Sequence, residues 1–584
     1  MIRKLFKQML AAQILSSMTV MICLLVDSLM IGRFLGVDSM TAYGLASPVL
    51  LVFAAFGSVL SAGIQVISGK TVGSGNREMT NACYSASLVI ALAATGVGLL
   101  LVLVFIKPIC ILLGAGEPSQ ANVVFSLTRD YLRGFIVGAP FFIIAQISVP
   151  FLQISGNRSR LAVALIVMTV SDILFDVLNV FVFHGGTLGM GLASSVSYVL
   201  AVVIGGSYFL KKDCIFKLSF RSVKAKLCGD IFRAGVPSIV NQISVVLLVF
   251  TLNKILLAVG QNAAVAAYSV ISTVANFCYC FGSGAASVAL LLSSVFYSDE
   301  DKTSLRELVR TMCRYSIVLS LAVTVIVLLA APYLVWLFLR ASPDAQAMAT
   351  FGLRLVSLSL LPAALNSCLK SFYQGVGRTR LTQAISVMQN FLFVVLFAFL
   401  LSRTLKTTGV WLGFLCGESL TLLVIAAIVW IREKHFVFSA DAFAMLPKDF
   451  GVPEADCLEL SIKDMAEAAS ASKRAEEFCI AHGEDSKSSM LISLCVEEMV
   501  NNIVNHGFSK DTREHNIELR ILFKDTMRVI RIRDNCVNFD PLMYFELHKQ
   551  DDIVSHFGIR MVMKMVKSAN YVNSLGLNNL TLIL

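Results

Sequence analysis

Four acidic side chains fall where acids are least welcome. Asp27, Asp172, Asp176 and Glu418 each lie inside an apolar run long enough to sit in lipid, and an ionisable residue in such a run is a functional candidate by default. Asp172 and Asp176 are four residues apart and share one helical face. Two carboxylates in a low dielectric resist ionising together, so this cluster suits the uptake and release of a proton or Na⁺. Glu418 is expected either to attract a cationic solute or to pair with Lys254 or Lys370.

A second constellation lies near the C-terminus. The run Leu494 to His506 carries Glu498, Asn502 and His506 at steps of four, again on one helical face. A Mg²⁺ that bridges nucleotide phosphates takes oxygen ligands, and an Asn carbonyl such as that of Asn502 supplies one without adding charge. A carboxylate one turn away, Glu498, is placed to orient or deprotonate an attacking hydroxyl or water.

The elements that must position these groups change character near residue 435. Hydrophobic residues make up 57% of the 584-residue chain and charged ones 15%, against about 25% charged in a soluble domain. The net charge is +16 over residues 1–439 and −6 over residues 440–584. The basic excess reads as Lys and Arg retained in cytoplasmic loops, not as a nucleic-acid surface. The 14 Cys form no C-x-x-C pair and mostly sit in apolar runs, as small reduced hydrophobes.

A helix needs about 20 apolar residues to cross the hydrocarbon. That measure gives twelve spans, near 10–34, 44–68, 84–106, 131–154, 161–183, 188–210, 235–258, 265–295, 315–339, 352–374, 382–402 and 408–431. Alternate loops are basic, among them Arg3/Lys4/Lys7, Lys70/Arg77 and Arg158/Arg160, which places both termini in the cytoplasm of a multi-pass cell-membrane protein. Phe151-x-Gln153-x-x-Gly156 recurs as Phe372-x-Gln374-x-x-Gly377, and Thr41-Ala42-Tyr43 echoes Ala266-Ala267-Tyr268. Both offsets correspond to six spans, so two six-helix bundles are expected about an axis along the membrane normal, with a cavity between them.

The expected division is 1–222 and 223–435 for the bundles, 436–455 for a linker and 456–584 for an α/β sandwich domain. In that domain Asp456–Ile462 alternates as a strand, and 464–482 and 486–506 read as helices. His515–Phe523 and Met527–Arg533 read as a hairpin, Gly558–Lys567 as a third helix, and 571–574 and 580–584 as closing strands.

The stretch Asp27-Ser28-Leu29-Met30-Ile31-Gly32-Arg33-Phe34-Leu35-Gly36, with Phe151 to Asn157 and Asp172-x-x-x-Asp176, resembles the multidrug and toxic compound extrusion (MATE) family over residues 5–435. The resemblance implies export of amphiphilic or cationic organic compounds against inward H⁺ or Na⁺, with Asp27 and Asp176 matching the cation site of the N-terminal bundle. Family members often carry Asn where this chain has Asp172.

Residues 455–584 resemble the histidine-kinase-type ATPase fold, nearest the anti-sigma-factor serine kinases. The stretch Asp534-Asn535-Cys536-Val537-Asn538-Phe539-Asp540-Pro541 and the later Gly558-Ile559-Arg560 carry this likeness. It implies ATP with Mg²⁺ at Asn502, Glu498 as the base, Asp534 on the adenine amino group and Gly558 beside phosphate. Cys536 and Asn538 stand where that family has glycine.

These readings point first to a cation-coupled exporter with a nucleotide-binding regulatory tail. Two rivals are a membrane sensor whose tail phosphorylates a cytoplasmic protein, and a flippase for a lipid-linked sugar. Gly63…Gly69-Lys70-Thr71 mimics a phosphate loop. It has five residues between the glycines where four are required, and no strand precedes it.

Overall fold

The computed structural model describes residues 2–584 except 114, 118–121, 212–213, 215, 220–222, 339–342, 434–439, 448–449, 509, 511–513, 525–526 and 549–556. Among the described residues, ten helices are long and apolar enough to cross a membrane: Ile2–Leu35, Asp38–Gly73, Arg77–Val104, Val123–Ile154, Arg158–Phe183, Gly186–Gly206, Ala225–Gly260, Ala263–Ser298, Lys302–Leu337 and Thr379–Arg432. A bent pair, Gln346–Ser357 and Leu360–Gly375, meets at 47° and makes an eleventh span. The 54-residue Thr379–Arg432 is broken at Lys406, where φ is 52°, and supplies two, so the twelve expected spans are all present.

The first span begins earlier than hydropathy alone indicates. Ile2, Leu5, Phe6 and Met9 are buried along one stripe, while Arg3, Lys4, Lys7 and Gln8 are exposed. The basic N-terminus is therefore the first turns of an amphipathic helix and not a loop.

The internal repeat has a structural basis. Gly156 and Gly377 both adopt left-handed φ, 71° and 84°. Each ends a helix in the same way, with Gly156 N–H bonded to Gln153 O and Gly377 N–H to Gln374 O, both at 3.0 Å. A residue with a Cβ is strained there.

The glycines of the rejected phosphate loop lie inside the second span and serve packing. A Cβ on Gly63 would strike the backbone of Ile231, and one on Gly69 or Gly73 would strike Ser294 or Val295. Ser294 Oγ also donates to Gln65 O at 2.9 Å. Small residues let the second span lie directly on the seventh and eighth. Gly284 against Ile14 and Gly235 against Val59 continue this seam between the bundles. All of these contacts lie in the halves of the spans nearest the C-terminal domain.

That domain is a five-stranded antiparallel sheet in the order β1-β2-β3-β5-β4. The strands are β1 Cys457–Ile462, β2 Ile517–Lys524, β3 Met527–Asp534, β4 Ser568–Ser574 and β5 Leu577–Ile583. Helices Met465–Ala481 and Ser486–Gly507 cover one face. Ala468, Ala475, Ile492, Val496 and Val500 pack there on Leu460, Leu519, Ile530, Ile532 and Leu582. Asp464 caps the first helix through Glu467 N–H at 2.8 Å, and Glu467 reaches back to the N–H of Lys463, one residue before the cap, at 2.7 Å. A short helix, Pro541–Leu547, was not expected. Asp540 caps it, accepting from Leu542 N–H at 3.0 Å with Pro541 at the first position.

The other sheet face is polar, yet it does not face solvent. Glu518, Arg520, Arg531, Arg533 and Asn579 alternate outward and are cross-strand neighbours. They meet the loop Asp299-Glu300-Asp301 that joins the eighth and ninth spans.

Candidate functional site

Asp27, Asp172 and Asp176 converge within the N-terminal bundle, all under 7% exposed. Asp27 precedes a π-helical stretch, Ile31–Leu35, and Asp176 precedes another, Asn179–Phe183. Such widened turns frequently mark functional positions in helices. Ser197 Oγ donates to Asp172 Oδ1 at 3.0 Å, and Cys23 is also within hydrogen-bonding reach of Asp172. Asp27 and Asp176 lie within hydrogen-bonding reach of each other. Neither carboxylate can donate while ionised, and Asp27 Oδ1 and both oxygens of Asp176 meet no donor among the described residues. A proton held between the two would supply one. Tyr43 and Tyr131 pack edge to face at 5.3 Å and help wall off the cluster.

A separate cavity of about 630 Å³ lies between the bundles. Gln13, Gln65 and Gln146 line it from one bundle, and Asn241, Tyr268, Lys370, Gln389 and Glu418 from the other. The three aspartates are not among its lining residues. Cavity and acid cluster are thus distinct places in the fold.

Glu418 pairs with neither expected lysine. Asn366 Nδ2 donates to its Oε2 at 2.8 Å, and Gln389 Nε2 stands 3.5 Å from Oε1. Lys370 Nζ bonds to Asn241 Oδ1 at 2.7 Å and to Gln389 Oε1 at 3.2 Å. Gln389 stands between acid and amine and keeps them apart. Lys254 lies over the Phe250 ring at 4.5 Å instead.

In the tail, Glu498, Asn502, Asp534 and Gly558 line one cavity of about 410 Å³, so the nucleotide-site residues expected from sequence are brought together. Gly558 lies against the Glu498 carboxylate, where a Cβ would collide. Asp534 is 4% exposed, and its Oδ1 accepts from Asn578 Nδ2 at 2.8 Å and Cys536 N–H at 2.9 Å. Burial pushes its carboxyl above the usual range, and these hydrogen bonds oppose the shift. Cys536 is accommodated by Gly507, whose missing side chain leaves room for the sulfur. Asn538 Oδ1 accepts from Tyr571 Oη at 2.5 Å, and Tyr571 also bonds to Asn578 Oδ1 at 2.7 Å.

Tyr571 and Asn578 also line the cavity and were not singled out from sequence. The only signal was the asparagine-rich closing hairpin. Among the described residues, no three His, Cys, Asp or Glu side chains form a metal-binding group.

Residues 12–178 and 237–400 match the MatE family model, and residues 463–584 match that of the histidine kinase-like ATPase domain. A multidrug export protein MepA from Staphylococcus saprophyticus is 25% identical over 416 residues, 70% of this chain and 89% of that protein. A Staphylococcus aureus counterpart is 22% identical over 398 residues, 68% of this chain and 86% of its own. The solved outward-facing form of a multidrug resistance MATE family transporter of the MOP superfamily superposes with a TM-score of 0.68 at 20% identity, over 76% of this chain and 97% of the other. A mutant of the Vibrio cholerae MATE transporter VcmN gives 0.67 at 19% identity, over 72% and 95%.

Proposed function

The chain belongs to the MatE family, and from that premise we propose that it is an antiporter exporting amphiphilic or cationic organic compounds from the cytoplasm, driven by inward H⁺ or Na⁺. The multidrug export proteins to which it is similar support the substrate class. One observation carries the coupling mechanism: Asp27 and Asp176 are buried together with no donor for three of their oxygens. Buried carboxylates in that condition call for a cation.

Substrate would occupy the inter-bundle cavity, where Glu418 is the acid available to a positive group. Cation binding at the aspartates, outside that cavity, would bias the bundles between two arrangements by its differential affinity for them. In this reading the tail and both termini are cytoplasmic.

The tail fits Mg²⁺-ATP in a regulatory role. Asn502 would hold the metal ion, Asp534 the adenine amino group and Gly558 the phosphate side. Bound ATP would supply phosphate charge and, with Mg²⁺, the capacity for phosphoryl transfer. Glu498 lines the same cavity as Asn502, which also favours a second reading, a serine kinase acting on a cytoplasmic protein.

The test is ethidium transport by proteoliposomes under an imposed pH or Na⁺ gradient, comparing wild type with Asp176→Asn. The variant is expected to insert normally and lose gradient-driven transport. Equal transport by both proteins removes Asp176 from the mechanism.

A further inference from the structure

The tail does not hang free; it holds both bundles at once. From the C-terminal bundle, the Asp299-Glu300-Asp301 loop reaches the polar sheet face. Arg531 Nη1 meets Asp299 Oδ1 at 2.7 Å, Arg533 Nη2 meets Asp299 Oδ2 at 2.8 Å, and Arg520 Nη1 meets Asp301 Oδ2 at 3.3 Å. Lys524 pairs with Glu300 beside them. The Asp301 side chain is only 3% exposed. Burial works against its charge, but Arg520 and Arg533 prevail and hold its carboxyl below the ordinary range.

From the N-terminal bundle, the β4–β5 turn reaches the loop between the fourth and fifth spans. Leu575 N–H donates to Ile154 O, and Arg158 Nη2 donates to Leu575 O at 2.7 Å. Gly156 lies so close to Gly576 that neither loop nor turn has room for a side chain on Gly156. Asn570 adds a bond to Gly75 O in the loop between the second and third spans. One rigid sheet therefore spans the seam where the bundles already touch.

The sheet is also a single layer between this dock and the tail cavity. Side chains alternate across a strand, so Arg533 grips Asp299 while its neighbour Asp534 lines the cavity. Asn579 accepts from Arg533 Nε at 2.9 Å on the dock side, while Asn578 bonds to Asp534 on the other. Adjacent residues of β3 and β5 thus belong to the Asp534, Asn578 and Tyr571 network on one side and to the dock on the other.

We propose that the tail is a latch that restrains separation of the two bundles on its face of the membrane, and that a nucleoside triphosphate in the tail cavity loosens it. The inference rests on the nucleotide-binding reading of the tail but not on the coupling ion. Bundle motion and nucleotide affinity are then linked reciprocally: cutting the dock must tighten nucleotide binding, and nucleotide must promote separation.

The experiment uses the full chain in lipid nanodiscs, with encoded azide residues at Glu78 and Lys302 carrying spin labels on opposite bundles. The dock variant is Asp299→Asn/Asp301→Asn. Arg158→Ala/Asn570→Ala, which removes the side-chain bonds of the arm on the N-terminal bundle, is a second variant should the first fold poorly. Wild type is expected to show one short distance without nucleotide. A longer population should appear with either variant, or with Mg²⁺ and a non-hydrolysable ATP analogue. Affinity for that analogue should rise about tenfold in the variants.

Unchanged distances in folded variants overturn the latch. Distances that lengthen without any gain in analogue affinity overturn its link to nucleotide. A latch that responds while ethidium transport ignores every gradient leaves this inference standing and fells the antiport reading instead.

Discussion

The molecule buries two pairs of aspartates under opposite conditions. Asp299 and Asp301 are enclosed by Arg520, Arg531 and Arg533, with nearly every charge answered. Asp27 and Asp176 are as deeply buried, and among the described residues no guanidinium or ammonium is paired with either. A carboxylate with its counter-charge built into the fold makes a fixed joint. On the antiport proposal, a carboxylate without one awaits a mobile partner and takes its counter-charge from the membrane's ion supply.

The sharpest way to break this comparison is to neutralise one acid of each pair. Asp176→Asn should reduce gradient-driven ethidium efflux to the level of empty vesicles while leaving thermal stability near wild type. A large stability loss would show that Asp176 is structural after all. Asp301→Ala should do the reverse. It removes the buried acid that Arg520 and Arg533 share, leaving Glu459 to the first and Asp299 and Glu518 to the second, and should cost about 3 kcal/mol of docked-tail stability, read as earlier proteolysis of the tail in intact protein. Transport-only damage from Asp301→Ala would erase the distinction.

The tail cavity gives an intermediate test. Asn502→Ala should weaken Mg²⁺-ATP binding by about 1.5–3 kcal/mol, a tenfold loss or more by calorimetry, with docking unchanged. The smallest effect concerns pH. Asp301 is held below its ordinary value of 3.8, so its contribution is full above that value and fades only as pH falls through the lowered one. Asp299 is shifted upward by burial, against the pull of Arg531 and Arg533, and works in the opposite sense. Protection factors of the β3 amides, which already account for the pH dependence of intrinsic exchange, should therefore not fall from neutral pH down to about 4. A loss of protection between pH 7 and 5 would mean that another group governs the dock.

How much of this was legible in the chain depended on the range of the interaction. Span number, the Gly156 and Gly377 turns and the strands of the tail follow from local period and turn chemistry, and sequence carries them plainly. The convergence of Glu498, Asn502, Asp534 and Gly558 was reachable only through a family likeness. The Pro541 helix was signalled by Asp540-Pro541 and still passed over, because it is only seven residues long. Of the two expectations for Glu418 the lysine pair fails, since a lysine inside an apolar run suggests an ion pair and an intervening Gln389 leaves no trace in spacing. The dock was invisible for a stronger reason. Alternation marks Arg531 and Arg533 as pointing away from the tail's own core, and the default destination of such a face is water. Nothing local says that the acids of a loop more than 200 residues earlier will cover it.

That two-sided sheet has a practical consequence for anyone dividing the protein. A tail expressed alone would bare Arg520, Arg531 and Arg533 as an undressed cationic stripe, prone to cling to anionic lipid, nucleic acid or column resin. Any stickiness measured on such a fragment would then be an artefact of the cut.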